Sequence, residues 1–231
     1  MQKNAFEIQL TDALVVMQEL TISEFLRANR SADSGESSML VRGAQITRVA
    51  LAMSVVQVNG KKVSYADLEG LGWRKFLPRH RSYVQCSNYF TRLHFADDSE
   101  RDAVDKTIES RLDEELDREI WAFDMPGRYG DEPVRVELRE PDHETVEDSL
   151  RAASQHSKRS SAVGLIQGME AVARSLHSID GKPVEFSGLA ELSERFSVWQ
   201  SDLLRYVYGE MSGTAEATTP MGELKPVPGN A

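Results

Sequence analysis

Residues 50–71 read ALAMSVVQVNGKKVSYADLEGL, and residues 171–192 read AVARSLHSIDGKPVEFSGLAEL. They align without a gap at a separation of 121. Eight of 22 positions are identical: Ala50/Ala171, Ala52/Ala173, Ser54/Ser175, Gly60/Gly181, Lys61/Lys182, Val63/Val184, Leu68/Leu189 and Leu71/Leu192. Ordinary composition would give about one or two matches. Val58/Ile179, Asn59/Asp180 and Tyr65/Phe186 are near-synonyms. Such self-similarity predicts one structural unit used twice, an arrangement that more often builds a surface than a single active site. Upstream, LTISEFLRA (20–28) pairs with ETVEDSLRA (144–152) at a separation of 124. That predicts a three-residue length difference in the polar stretches 29–38 and 153–161, where surface loops tolerate it.

Outward from the repeat, Phe6-Glu7-Ile8-Gln9-Leu10 alternates apolar and polar, and Leu14 to Met17 predicts the returning strand of a hairpin. Thr21 and Glu24 have the spacing of a capping box opening a short helix. Helices are expected over 39–56 and 162–176, each broken by a glycine turn at Asn59-Gly60 or Asp180-Gly181. Ser64 to Asp67 starts another helix, and Ser187 is placed to cap its counterpart. Aromatic helical stretches follow over 73–94, interrupted near Pro78, and over 192–211; their stripes should pack inward. Val134 to Leu138 alternates as a strand.

Between the copies, residues 99–121 predict one long acidic helix capped by Ser99. Val104, Ile108, Leu112, Leu116 and Ile120 recur every four residues among charges, giving a stripe that drifts slowly around the helix. An uncovered stripe of that length marks an interaction site, so these five residues are interface candidates, with Trp73 and Trp199 of the aromatic helices. The resulting architecture is α+β and mostly α-helical. Two related modules, 1–95 and 134–212, each carry a short β element and several helices. A helical connector, 96–133, joins them, and a Gly/Thr/Ala/Pro/Glu-rich tail, 213–231, has little to bury.

The net charge of −10 is uneven. Lys/Arg and Asp/Glu number 12 and 8 over 1–95, 7 and 20 over 96–150, and 8 and 9 over 151–231. An acidic middle disfavours nucleic-acid binding, which needs a basic face. The basic cluster Arg74, Lys75, Arg79, His80 and Arg81 reads as a solvated helix face. No apolar run approaches the ~20 residues of a membrane span, and MQKNAFEIQL lacks the apolar centre of a secretory signal. A single cysteine, Cys86, excludes an internal disulfide and reads as a structural thiol. These features predict a soluble protein of a reducing compartment.

No catalytic constellation is legible. His80, His94, His143, His156 and His177 show no HxxxH pairing. His94, Asp97 and Asp98 lack further ligands at metal-site spacing and read as solvated loop and helix-end residues. No phosphate-binding glycine pattern occurs. Gly60-Lys61 and Gly181-Lys182 read as turns rather than an anion cradle, because Lys62 is replaced by Pro183. No cofactor, metal or catalytic residue is expected.

LHSIDGKPVEF (176–186), LAELSERF (189–196) and DLLRYVYGEM (202–211) together resemble small tail-assembly proteins of tailed bacteriophages. The matching features are Leu20-Thr21, Asn59-Gly60-Lys61 and Tyr89 in the first copy, and Thr145, Asp180-Gly181-Lys182 and Tyr206 or Tyr208 in the second. The doubling and the acidic connector depart from the usual single small unit. The resemblance implies a non-enzymatic, chaperone-like protein that binds other phage tail or baseplate proteins, in the host cytoplasm during assembly or in the virion tail. It implies no nucleic-acid or membrane partner. A structural baseplate or tail subunit retained in the virion is the alternative; a small-molecule-binding regulator or enzyme is the alternative of a different class.

Overall fold

Strand β1 (Ala5–Gln9) pairs antiparallel with β2 (Leu14–Gln18), as the alternation of Phe6 and Ile8 requires. Residues 5–31, 39–69, 72–128, 131–156 and 160–212 are described by this computed structural model. The tail expected over 213–231, residues 32–38 of the expected loop, and Leu71 lie outside them. Thr21 opens helix α1 (Ile22–Ser31) through a reciprocal cap. Its Oγ1 accepts from the Glu24 N–H at 3.3 Å, and Glu24 Oε2 accepts from the Thr21 N–H at 3.0 Å, which satisfies two donors that no helical carbonyl can reach. Helix α2 (Met39–Ser54) runs directly into β3 (Val55–Val58), which pairs with β2 and turns into β4 (Lys61–Lys62). Ser64 and Asp67 form a second capping box ahead of α3 (Tyr65–Leu68). Helix α4 (Trp73–Phe76) then ends, and Pro78 separates it from α5 (His80–His94).

The second half begins with a correction. Residues 99–121 are not one helix, and 96–133 is not a helical connector. Helix α6 (Asp98–Asp105) is short, and β5 (Glu109–Asp113) and β6 (Arg118–Met125) form a hairpin beyond it. Asp97, not Ser99, caps α6, in a box with Glu100. The four-residue spacing overlies a second pattern that the helical reading missed. Ile120 and Ala122 point inward with Phe123 and Met125, and the alternation of Ile120 and Ala122 is that of a strand. Pairing of Ile120 to Met125 of β6 with β7 (Val134–Arg139) satisfies a row of backbone groups that a free-standing helix would not bring to this core. Asp117 adopts φ 52° at the hairpin turn, a left-handed conformation that a continuous helix excludes.

Helices α7 (His143–His156) and α8 (Ser160–Ser175) follow, then β8 (Leu176–Ile179), β9 (Lys182–Pro183), α9 (Leu189–Arg195) and α10 (Val198–Met211). Ser187 does not cap α9: Gly188 precedes the helix, and the Ser187 hydroxyl donates to Glu191 at 2.6 Å.

The chain is therefore α+β with two small antiparallel sheets, ordered β1-β2-β3-β4 and β5-β6-β7-β8-β9. Matching hydrogen bonds recur 121 positions apart. The Leu14 N–H donates to Asn59 Oδ1 at 2.9 Å, and the Arg135 N–H to Asp180 Oδ1 at 3.0 Å. Pairing shifts register between Val16 and Met17 in one sheet, and between Glu137 and Leu138 in the other. Asn59-Gly60 has φ 47° and 77°, and Asp180-Gly181 has φ 51° and 70°. Two successive positive values form the tight hairpin turn that Asn-Gly and Asp-Gly favour. Thr21 and Asp142 begin α1 and α7; Asp142 Oδ1 accepts from the Thr145 N–H at 2.7 Å. The helix starts thus keep the separation of 121, and the 124-residue alignment with its three-residue gap does not describe them. Strand β5 is extra, and after Gly188 the correspondence lapses: α9 is longer than α3.

Two apolar clusters fill the interior, and they interlock. Ile22 and Leu26 of α1 belong to the cluster beneath the second sheet, whereas Val198 of α10 belongs to the cluster beneath the first. The caps of α1 and α10 meet where Thr21 and Ser197 form an isolated antiparallel bridge. Full burial of a side chain such as Ile22 contributes about 1.5–3 kcal/mol, so each half completes the other's core.

Candidate interaction surfaces

The seven interface candidates do not share a face. Val104 and Ile120 are fully buried, Ile108 packs on the second cluster, and Trp73 and Trp199 are 5% and 4% exposed. Only Leu112 and Leu116, on the β5–β6 hairpin, reach solvent. Trp199 is instead part of a joint between the halves. Its indole N–H donates to Glu100 at 3.1 Å, and the Arg128 guanidinium lies 4.0 Å from its ring centroid. Arg128 also donates to both Glu100 oxygens and to the carbonyls of Arg92, Leu93 and Phe95.

His94 is not solvated, contrary to its sequence reading. It is buried at the end of α5, where Nε2 accepts from the Leu20 N–H at 2.9 Å and Nδ1–H donates to the Phe90 carbonyl at 3.0 Å. Both ring nitrogens are committed. Burial holds its pKa down to about 4, and only the Phe90 carbonyl and Glu24 oppose that. Asp97 and Asp98 are exposed helix-end residues, as expected. Cys86 is buried in α5, and desolvation pushes its thiol up to about 12, so it is no thiolate nucleophile near neutral pH. Among the described residues no group of three or more His, Cys, Asp or Glu side chains could hold a metal ion, and no helix is long and apolar enough to cross a membrane.

A groove of about 590 Å³ lies between α7, α8 and α10. Helix α8 opens it with Gly164, Gly168 and Ala171, one small residue per turn on one face. A Cβ on Gly168 would sit 3.2 Å from Arg205 Nε, so glycine there lets the guanidinium lie against the helix. A Cβ on Gly164 would meet nothing within 4 Å. The Arg205 side chain makes no hydrogen bond or ion pair with another described residue. Burial lowers its pKa, with Asp202 opposing. Tyr208 lines the same wall, its pKa raised by burial. The two acids on the rim are already engaged. Glu140 accepts from the Glu119 N–H, and Asp142 caps α7 and pairs with Arg118. On α7, Val146 borders the groove and Leu150 continues its apolar face one turn on, at 38% and 46% exposure. The site thus offers an apolar rim, a floor of small residues and a charged donor without an acceptor. It would take an extended or helical segment whose carboxylate meets Arg205 in a charge-assisted pair. Sequence reasoning absorbed Arg205 into an aromatic core helix; the signals for the groove were an arginine inside LLRYVY and small residues at intervals of four and three on α8.

No protein-family model, no curated protein and no solved structure matches the chain.

Proposed function

We propose that the chain is a non-enzymatic, chaperone-like assembly protein of a tailed bacteriophage, built from two related copies of one β-hairpin and helix unit. It acts in the host cytoplasm by holding a segment of another tail or baseplate protein. The observation that carries the binding reading is Arg205, a cation without an acceptor facing an apolar-rimmed groove. Two related copies are supported by hydrogen bonds, register shifts and turns that recur 121 positions apart. The phage reading is supported by the sequence resemblance, whose Asn-Gly-Lys and Asp-Gly-Lys elements occupy like turns in both sheets.

The groove gives a direct test. A Cβ on Gly164 meets nothing within 4 Å, so Gly164→Trp starts unobstructed from the groove wall and its ring obstructs the groove. Tagged wild-type protein from phage-producing cells should co-purify tail or baseplate proteins identified by mass spectrometry. Gly164→Trp should lose at least about tenfold of that capture while its thermal unfolding midpoint stays put. Undiminished capture would place the interface elsewhere, and capture of no tail protein by the wild type would remove the phage reading itself.

A further inference from the structure

A second cleft, of about 720 Å³, lies in the first half where α2 meets α4 and α5. Its chemistry differs from that of the groove. Arg48, Arg74 and His80 are exposed around it, and no carboxylate lines it. The side chains of Arg48 and Arg74 form no hydrogen bond or ion pair with another described residue, and His80 only stacks on Tyr83, at 6.4 Å between ring centroids. The wall is aromatic. Trp73 and Tyr83 meet edge-on at 5.3 Å, and the Trp73 indole N–H is buried with no acceptor. Two unpaired guanidinium groups beside a Trp/Tyr/Pro wall select an acidic segment that also carries apolar side chains.

The chain itself presents such a segment. Its β5–β6 hairpin carries β5, the strand of the second sheet that has no counterpart in the first. The hairpin exposes Leu112 near the end of β5 and Leu116 in the turn, 58% and 45% accessible, beside Glu114, Glu115 and Asp117. Those three carboxylates have no cation within 4 Å among the described residues. The nearby arginines do not neutralise them, because Arg111 pairs with Glu137 and Arg118 with Asp142. The turn is held in shape by the Glu115 and Leu116 N–H groups, which donate to Asp113 at 3.2 Å each. None of the residues lining the cleft comes from this hairpin.

We infer that the acidic β5–β6 hairpin of one copy docks into the Arg48/Arg74/His80 cleft of a second copy. Leu112 and Leu116 cover Pro78 and Tyr83, and Glu114, Glu115 and Asp117 face Arg48 and Arg74. Because the two surfaces differ, a single contact is heterologous: the pair keeps one free hairpin and one free cleft, which further copies can fill to build rings or open chains. This inference is independent of the groove and its partner.

Sedimentation velocity on the full-length chain tests it. The wild type should grow in average mass with concentration at low salt, and high salt should weaken that growth by screening the exposed charges. Arg48→Glu/Arg74→Glu and Glu114→Lys/Glu115→Lys should each weaken self-association at least about tenfold, with circular dichroism unchanged. Mixing the two variants should restore association, because each supplies the surface the other lacks. A wild type that stays monomeric at every concentration overturns the inference. So does undiminished association of either folded variant, or a mixture no more associated than its separate components.

Discussion

Arg128→Ala is expected to lower the unfolding free energy by about 2–3 kcal/mol, the cost of taking a charged hydrogen-bond partner from a partly buried carboxylate and from helix-end carbonyls. The Arg128 side chain is 13% exposed. It donates to Glu100 at 2.7 and 2.8 Å and to three carbonyls at the end of α5, and it covers the Trp199 ring. Those carbonyls are the ones a helix leaves without an internal partner. Burial pushes the Glu100 carboxyl up, but hydrogen bonds from Arg128, the Asp97 backbone and Trp199 outweigh it and hold its pKa below the ordinary value. Without the guanidinium, a shielded carboxylate and three carbonyls lose their partner together, at the joint between the two halves. Arg128→Lys should recover only a small part of the loss, since an ammonium cannot fork to both Glu100 oxygens and still reach the carbonyls. Urea denaturation at neutral pH measures both variants. A loss below about 1 kcal/mol for Arg128→Ala would place this residue among ordinary surface pairs.

The second large effect is a loss of stability on mild acidification that depends on His94. Its folded pKa is about 4, against about 6.5 for an unfolded histidine. Below pH 6.5 the unfolded chain binds a proton that the folded chain refuses, so acidification favours unfolding. The contribution is fully present above pH 6.5, falls steadily, and by pH 4 has cost about 3 kcal/mol. The carboxylate of Glu100, held down, loses its contribution only as pH falls through and below the ordinary carboxylate range. His94→Ala should cost about 2–4 kcal/mol at pH 7, because it opens a cavity and orphans the buried Leu20 N–H. It should also flatten the decline between pH 6.5 and 4. Urea unfolding of both proteins at pH 7, 5.5 and 4 checks this; parallel pH profiles would contradict the assignment.

The local signals that sequence carries best are those set within a few residues. The Thr21/Glu24 and Ser64/Asp67 caps, the Asn59-Gly60 and Asp180-Gly181 turns and the break at Pro78 all appear where their chemistry demands. What failed depends on distant partners. Val104, Ile108, Leu112, Leu116 and Ile120 keep helical spacing, but only the pairing of β6 with β7, and the core it seals, decides that Ile120 stands on a strand. His94 looked like a solvated helix end because its acceptor role is toward Leu20, 74 positions away. Arg205 was hidden for the same reason: a groove is made by three helices, and only α8, with Gly164 and Gly168, carried a hint of it.

The central claim, that this chain assembles phage tails by binding a tail protein, is tested most directly by electron microscopy of particles made without it. Cells producing the phage with the coding sequence deleted should yield DNA-filled heads and no complete tails, and supplying the wild-type chain in trans should restore them. Complete, normal-length tails on particles from the deletion would contradict the account.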